Sequence, residues 1–211
     1  FKYKVPGDIS SSAFFVVLAL LSKKSKIIIR NVNVNNSRTG IIKILNKMNA
    51  KIRLKNKKIY KGEHVADIIV KSKNNLKSID CPKNLNSSAI DEFLVIFLVA
   101  AKAKGISIFR NLSELNKKES PRLDIATNIL NKIGIKYIRK GDNLKIYGNP
   151  KLNLKGNYII KNFRKDHRVF MMSCVAALTF GGHWVINDKN SIKTSFPSFI
   201  QLLKKLGAKI I

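Results

Sequence analysis

The chain has 211 residues, 41 Lys and Arg against 12 Asp and Glu, and a formal net charge of +29. With 45% hydrophobic residues, a chain of this length hides about 70% of the surface its unfolded form exposes, which excludes disorder as its main state. The apolar runs Ala13–Leu21 and Phe93–Ala101 fall short of the roughly 20 residues that cross a bilayer and read as buried helices.

In chain order the elements repeat three times, in units of about residues 1–80, 81–155 and 156–211. Each unit opens on a polar cluster suited to capping the helix behind it. These clusters are Gly7-Asp8-Ile9-Ser10-Ser11-Ser12, Asn86-Ser87-Ser88-Ala89-Ile90-Asp91-Glu92 and Lys165-Asp166-His167-Arg168. The helices lead into β-branched runs at Lys26–Arg30, Gly105–Arg110 and Gly182–Asn187. The first two runs continue alike, as Arg30-Asn31-Val32 and Arg110-Asn111-Leu112.

A second, amphipathic helix follows at Gly40–Met48, Arg122–Ile133 and Phe196–Leu206. Each of these ends in a related turn and strand: Asn49-Ala50-Lys51-Ile52, Gly134-Ile135-Lys136-Tyr137 and Gly207-Ala208-Lys209-Ile210. Further strands are expected at Lys58–Tyr60, Asp67–Val70, Asn143–Tyr147 and Asn157–Ile160. Units this short have no core of their own, so the reading is one α+β domain packed about a shared interior. Asn74–Lys83 and Gly148–Gly156 read as connections between units.

Two cysteines, Cys81 and Cys174, and three scattered histidines make neither a disulfide framework nor a zinc motif. Nothing at Phe1–Pro6 reads as a signal peptide, and an opening Phe in place of Met reads as a fragment or a processed product. The basic excess invites a polyanion reading, because cations on phosphates release counterions whatever the sequence. Yet 33 of the 41 basic residues are lysines spread through every segment. Ile and Asn are over-used with them, and since all three have A/T-rich codons, genome composition explains much of the excess.

Four constellations hold polar chemistry at helix starts or in loops. Asp91 is expected one turn into the apolar helix of the second unit, where the helix dipole favours a carboxylate; alone it reads as a first-turn acid. Glu114-Leu115-Asn116-Lys117-Lys118-Glu119-Ser120-Pro121-Arg122 sets cations beside carboxylates ahead of a helix, and Arg122 adds a planar fork suited to carboxylate or phosphate. Asn162-Phe163-Arg164-Lys165-Asp166-His167-Arg168 puts Arg168 at the mouth of a long apolar helix. In Ser191-Ile192-Lys193-Thr194-Ser195-Phe196-Pro197, Ser195 reads as a cap and Lys193 as an anion contact or plain surface charge. No G-x-x-x-x-G-K-[ST] or G-x-G-x-x-G occurs, which disfavours an ATPase or a nicotinamide enzyme.

The set Val5-Pro6-Gly7-Asp8-Ile9-Ser10-Ser11, Ser88-Ala89-Ile90-Asp91-Glu92, Lys118-Glu119-Ser120, Asp166-His167-Arg168 and Thr194-Ser195-Phe196-Pro197 resembles the 5-enolpyruvylshikimate-3-phosphate synthases. The resemblance runs over the whole chain and covers only the C-terminal half of such an enzyme; the N-terminal domain has no match here. It implies an enolpyruvyl-transferase-type α/β prism, an inside-out barrel of three units with helices inside and sheets outside. It implies carboxyvinyl transfer from phosphoenolpyruvate to the 5-hydroxyl of shikimate 3-phosphate with release of phosphate, on the shikimate pathway to aromatic amino acids. No metal or organic cofactor is implied.

By the same resemblance Asp91 is the base facing the accepting hydroxyl, and Glu119 handles the proton at the phosphoenolpyruvate methylene. Lys118 contacts shikimate 3-phosphate, Arg122 and Arg168 clamp phosphoenolpyruvate, and Lys193 is the weakest of the binding candidates. Asn116, Lys117 and Pro121 depart from the family pattern, and Thr194 stands where some members carry a phosphate-binding lysine. The partners implied are the two substrates and the missing N-terminal domain, with no specific nucleic acid and no membrane, in a cytoplasmic protein that is a monomer when complete. The alternatives are a transferase acting on UDP-N-acetylglucosamine and a non-catalytic basic binding module.

Overall fold

The computed structural model describes residues 3–210. Three helices are apolar on nearly every side: α1 (Ile9–Leu21), α3 (Phe93–Lys102) and α5 (His167–Phe180). A helix with no polar face must be covered all round. These three pack against one another in pairs and form the centre of one continuous core. Around them lie the helices α2 (Gly40–Lys47), α4 (Arg122–Lys132) and α6 (Phe199–Lys205).

The strands form an outer layer of three sheets. β1 (Lys26–Asn33), β2 (Arg53–Tyr60) and β3 (Glu63–Lys71) make an antiparallel sheet in the order β1-β3-β2. β4 (Gly105–Phe109), β5 (Tyr137–Lys140) and β6 (Asn143–Gly148) repeat that arrangement as β4-β6-β5. Their inward residues Ile68, Val70, Leu144 and Ile146 are buried, while Ile28 and Ile106 face outward and are exposed. Helices inside and sheets outside is the expected prism.

The third unit departs from the other two. β7 (Leu154–Ile160) pairs in parallel with β8 (Gly181–Ile186), with α5 as the crossover that a parallel pair requires. The strand expected at Gly207–Ile210 does not form, since no described strand pairs with that segment. Within the first two units the strands begin at Arg53 and Tyr137, just beyond the predicted turns.

Those turns show why the repeat was visible. Asn49, Gly134 and Gly207 all take left-handed backbone, with φ of 71°, 71° and 95°. In each, the following residue's N–H reaches back five positions, from Ala50 to Leu45, Ile135 to Leu130 and Ala208 to Leu203. This is the Schellman ending of a helix, which calls for Gly or Asn at the turning residue. Asn31 and Asn111 form a second matched pair, with φ of 56° and 58°. Their N–H groups donate to the side chains of Asp67 and Asn143 on the neighbouring strands.

Candidate active site

The polar clusters of the second and third units meet at one end of the prism. Asp166 caps α5, and its carboxylate accepts from the N–H groups of Arg168 and Val169. Its side chain is fully buried and also accepts from Ser120 Oγ and Arg122 Nε, each at 2.8 Å. Arg122, the first residue of α4, is 2% exposed and is the hub. Its Nη2 donates to Glu119 at 3.0 Å and its Nη1 to Asp91 at 3.4 Å.

Asp91 faces three cations. Lys118 Nζ and Arg122 Nη1 stand 3.6 and 3.4 Å from one of its carboxylate oxygens, and Arg168 Nη2 3.5 Å from the other. Arg168 Nη1 also donates to the Asp91 carbonyl at 3.2 Å. Burial works against the Asp91 carboxylate, and the charges of Arg168, Lys118 and Arg122 outweigh it, holding its pKa below the ordinary value. Asp166 is depressed on the same balance, burial being outweighed chiefly by Arg122 and then Ser120. Both are ionised at neutral pH.

His167 Nδ1 lies 3.1 Å from Glu119 Oε2. Burial lowers its pKa despite the attraction of Glu119, so the ring is mainly neutral at pH 7. Glu119, Asp166 and His167 bring three ligand atoms within 4.8 Å of one another, the spacing of a metal site. The Arg122 guanidinium bonds both carboxylates there.

Asp91, Lys118, Glu119, Arg122 and Arg168 therefore stand together. Asp91 itself is not inside the helix. The segment before α3 winds as two tight 3-10 turns, Lys83–Leu85 and Ser87–Ala89, and α3 begins only at Phe93. Ser88 Oγ donating to the Leu85 carbonyl stabilises that tighter winding and leaves Asp91 in a turn facing the cations.

One expectation for the fourth constellation, the Ser195 cap, fails. Exposed Lys193 has no hydrogen bond or ion pair to the cluster among the described residues. Ser195 is not a cap, because α6 starts at Phe199 behind Ser198. The sequence reading also gave no role to Arg38, whose Nη2 donates to Ser10 Oγ at 2.9 Å, or to Glu92, which accepts from the same hydroxyl. The signal was the repeat: Arg38 precedes α2 much as Glu119 and Ser120 precede α4.

This fold is that of the enolpyruvyl transferases: the structure of the transferase NikO from Streptomyces tendae matches 95% of the chain and 43% of its own length with a TM-score of 0.70, at 15% identity. An EPSP synthase from Acinetobacter baumannii superposes more closely, with a TM-score of 0.89 and 34% identity over 95% of this chain and 46% of that one. The family model for EPSP synthase (3-phosphoshikimate 1-carboxyvinyltransferase) matches residues 1–203, and the chain belongs to that family. Curated relatives of that name from Zymomonas mobilis and Geobacter metallireducens are 41% and 40% identical over 97% of the chain. The chain spans about half the length of these relatives, 46% and 47%.

Proposed function

We propose that this chain supplies one wall of the active site of a 3-phosphoshikimate 1-carboxyvinyltransferase, which joins the carboxyvinyl group of phosphoenolpyruvate to the 5-hydroxyl of shikimate 3-phosphate and releases phosphate. The observation that carries the reading is the buried Arg122 hub, which ties Asp91, Glu119 and Asp166 beside Lys118 and Arg168. Three cations suit two anionic substrates, and two partly open carboxylates suit two proton transfers.

In this reading Asp91 takes the proton of the attacking hydroxyl as its oxygen bonds to the central carbon of phosphoenolpyruvate. Glu119 delivers a proton to the methylene carbon, turning it into a methyl group. Elimination then removes a proton from that methyl group, re-forms the double bond and breaks the carbon–oxygen bond to phosphate. Positioned acids and bases of this kind contribute about 10²–10⁴-fold. Arg122 and Arg168 hold the phosphoenolpyruvate anion and favour the charge that develops on departing phosphate. Lys118 contacts shikimate 3-phosphate. The facing wall comes from the part of the relatives' length that this chain does not span, and residues 1–211 alone turn over negligibly.

Product formation by the full-length protein, offered phosphoenolpyruvate with shikimate 3-phosphate or with UDP-N-acetylglucosamine, tests the reading. Turnover of the first acceptor alone is expected. Turnover of the nucleotide sugar alone, or of neither, overturns it.

A further inference from the structure

One buried carboxyl beside this cluster has no part in the reaction as described. Glu92 follows Asp91 directly and is 3% exposed. Its Oε1 accepts from the hydroxyl of Ser10, itself 1% exposed in the first turn of α1. Ser10 Oγ accepts from Arg38 Nη2, which also lies 3.5 Å from Asp8, the residue that caps α1. A chain Asp8–Arg38–Ser10–Glu92 thus runs from the surface of the first unit to the backbone neighbour of Asp91.

A buried carboxylate is costly, and an apolar side chain of similar volume avoids that cost. Packing alone therefore does not explain Glu92. The charged groups facing it come from all three units: Arg38 from the first, Asp91 from the second and Arg168 from the third. Lys118 and Arg122 pair with its neighbour Asp91. Burial is the dominant influence and pushes the Glu92 carboxyl up to about 7, against the Ser10 hydrogen bond. Its charge therefore changes in the neutral range, directly beside a carboxylate that stays ionised.

We infer that Glu92 is a positioning residue for Asp91: through Ser10 it ties the Asp91 turn to Arg38, and its charge sets how strongly Asp91 attracts a proton. The inference rests on the reading of Asp91 as the base. When Glu92 is ionised it repels the neighbouring negative charge and makes Asp91 a stronger base. When Glu92 is neutral, Asp91 feels the cations alone and is a weaker one. Transfer is accordingly faster on the alkaline side of Glu92's titration.

The test uses the full-length protein with 13C-labelled Asp and Glu carboxyl carbons, comparing the parent with Glu92→Gln by NMR titration and by the pH dependence of kcat. In the parent, the Asp91 resonance is expected to move a second time with a midpoint near that of Glu92, and kcat to rise through the same range. Glu92→Gln is expected to abolish both features and to lower kcat by about tenfold or more, with KM for each substrate within about twofold. An Asp91 titration and a pH–kcat profile identical in parent and variant overturn the inference. If Glu92→Gln does not fold, Ser10→Ala is read instead. Loss of the donor is expected to raise the Glu92 midpoint, and an unmoved midpoint overturns the inference. A parent that makes no product from the two substrates defeats the assigned reaction, while the Asp91 titration still decides on Glu92.

Discussion

Arg122 Nε donates to Asp166 Oδ2 at 2.8 Å, and the two side chains are 2% and 0% exposed. The bond joins the start of α4 to the cap of α5, so one buried pair fastens the second unit to the third. Removing one partner of such a pair strands the other charge, at a cost of about 3–5 kcal/mol. Asp166→Ala is expected to lose stability on that scale in urea unfolding. Asp166→Asn is expected to lose distinctly less, because it removes the charge but keeps an acceptor for the N–H groups of α5 that Asp166 caps. Equal losses in the two variants contradict this account.

The same carboxylate makes folding sensitive to acid. Its folded pKa is depressed, so its contribution is complete above the unfolded carboxylate value of about 3.9 and is lost as pH falls through the folded value. The stability of the parent is expected to fall with pH below about 4 more steeply than that of Asp166→Asn. Urea midpoints measured between pH 2 and 6 check this, and parallel curves refute it.

Asp91→Asn keeps the shape of the side chain and removes its ability to take a proton. In the full-length protein it is expected to lower kcat by about 10²–10⁴-fold while KM for both substrates moves by about threefold or less. Steady-state kinetics decide the matter, and full activity demotes Asp91 to a structural acid.

Gly40 opens α2 against the turn that carries Asp91. A methyl group there would lie 2.4 Å from Ser88 Oγ and 2.6 Å from the Ser88 carbonyl carbon. The backbone atom cannot swing aside as a side chain does, so Gly40→Ala is expected to displace the Ser87–Asp91 turn. The measurable result is a stability loss of about 1–3 kcal/mol together with reduced kcat. Gly148→Ala, which meets the Ala103 carbonyl oxygen at 2.0 Å far from the cluster, serves as a control that loses stability alone.

The repeated helix endings allow a milder test. Gly134 turns with φ of 71° where Asn49 turns with the same angle. Gly134→Ala is expected to cost about 1–2 kcal/mol and Gly134→Asn distinctly less, because Asn tolerates the left-handed region. Thermal unfolding of the two variants separates them.

Much of this was legible in the residues. All-apolar helices, Gly or Asn at the ends of their amphipathic successors and Arg-Asn pairs late in or just after a strand are local patterns, and local sterics and capping chemistry fix them wherever they occur. Asp8 and Asp166 are recognisable as caps because each bonds N–H groups two or three positions away. Lys118, Glu119 and Arg122 are adjacent in sequence, and their clustering was visible for the same reason.

What spacing could not give was the pairing of distant polar groups. Arg122 meets Asp166 from 44 positions away, and Ser10 meets Glu92 from 82. The sequence alone determined most of the repeated alternation of elements and the caps Asp8 and Asp166, since those depend on neighbours within a turn or two. Only the tertiary structure decided that Asp91 sits ahead of its helix, that Lys193 stands apart, that the third sheet pairs in parallel and that Glu92 is buried. Each depends on how three apolar helices pack, and that packing sets which charges lose water and which partner remains to satisfy them.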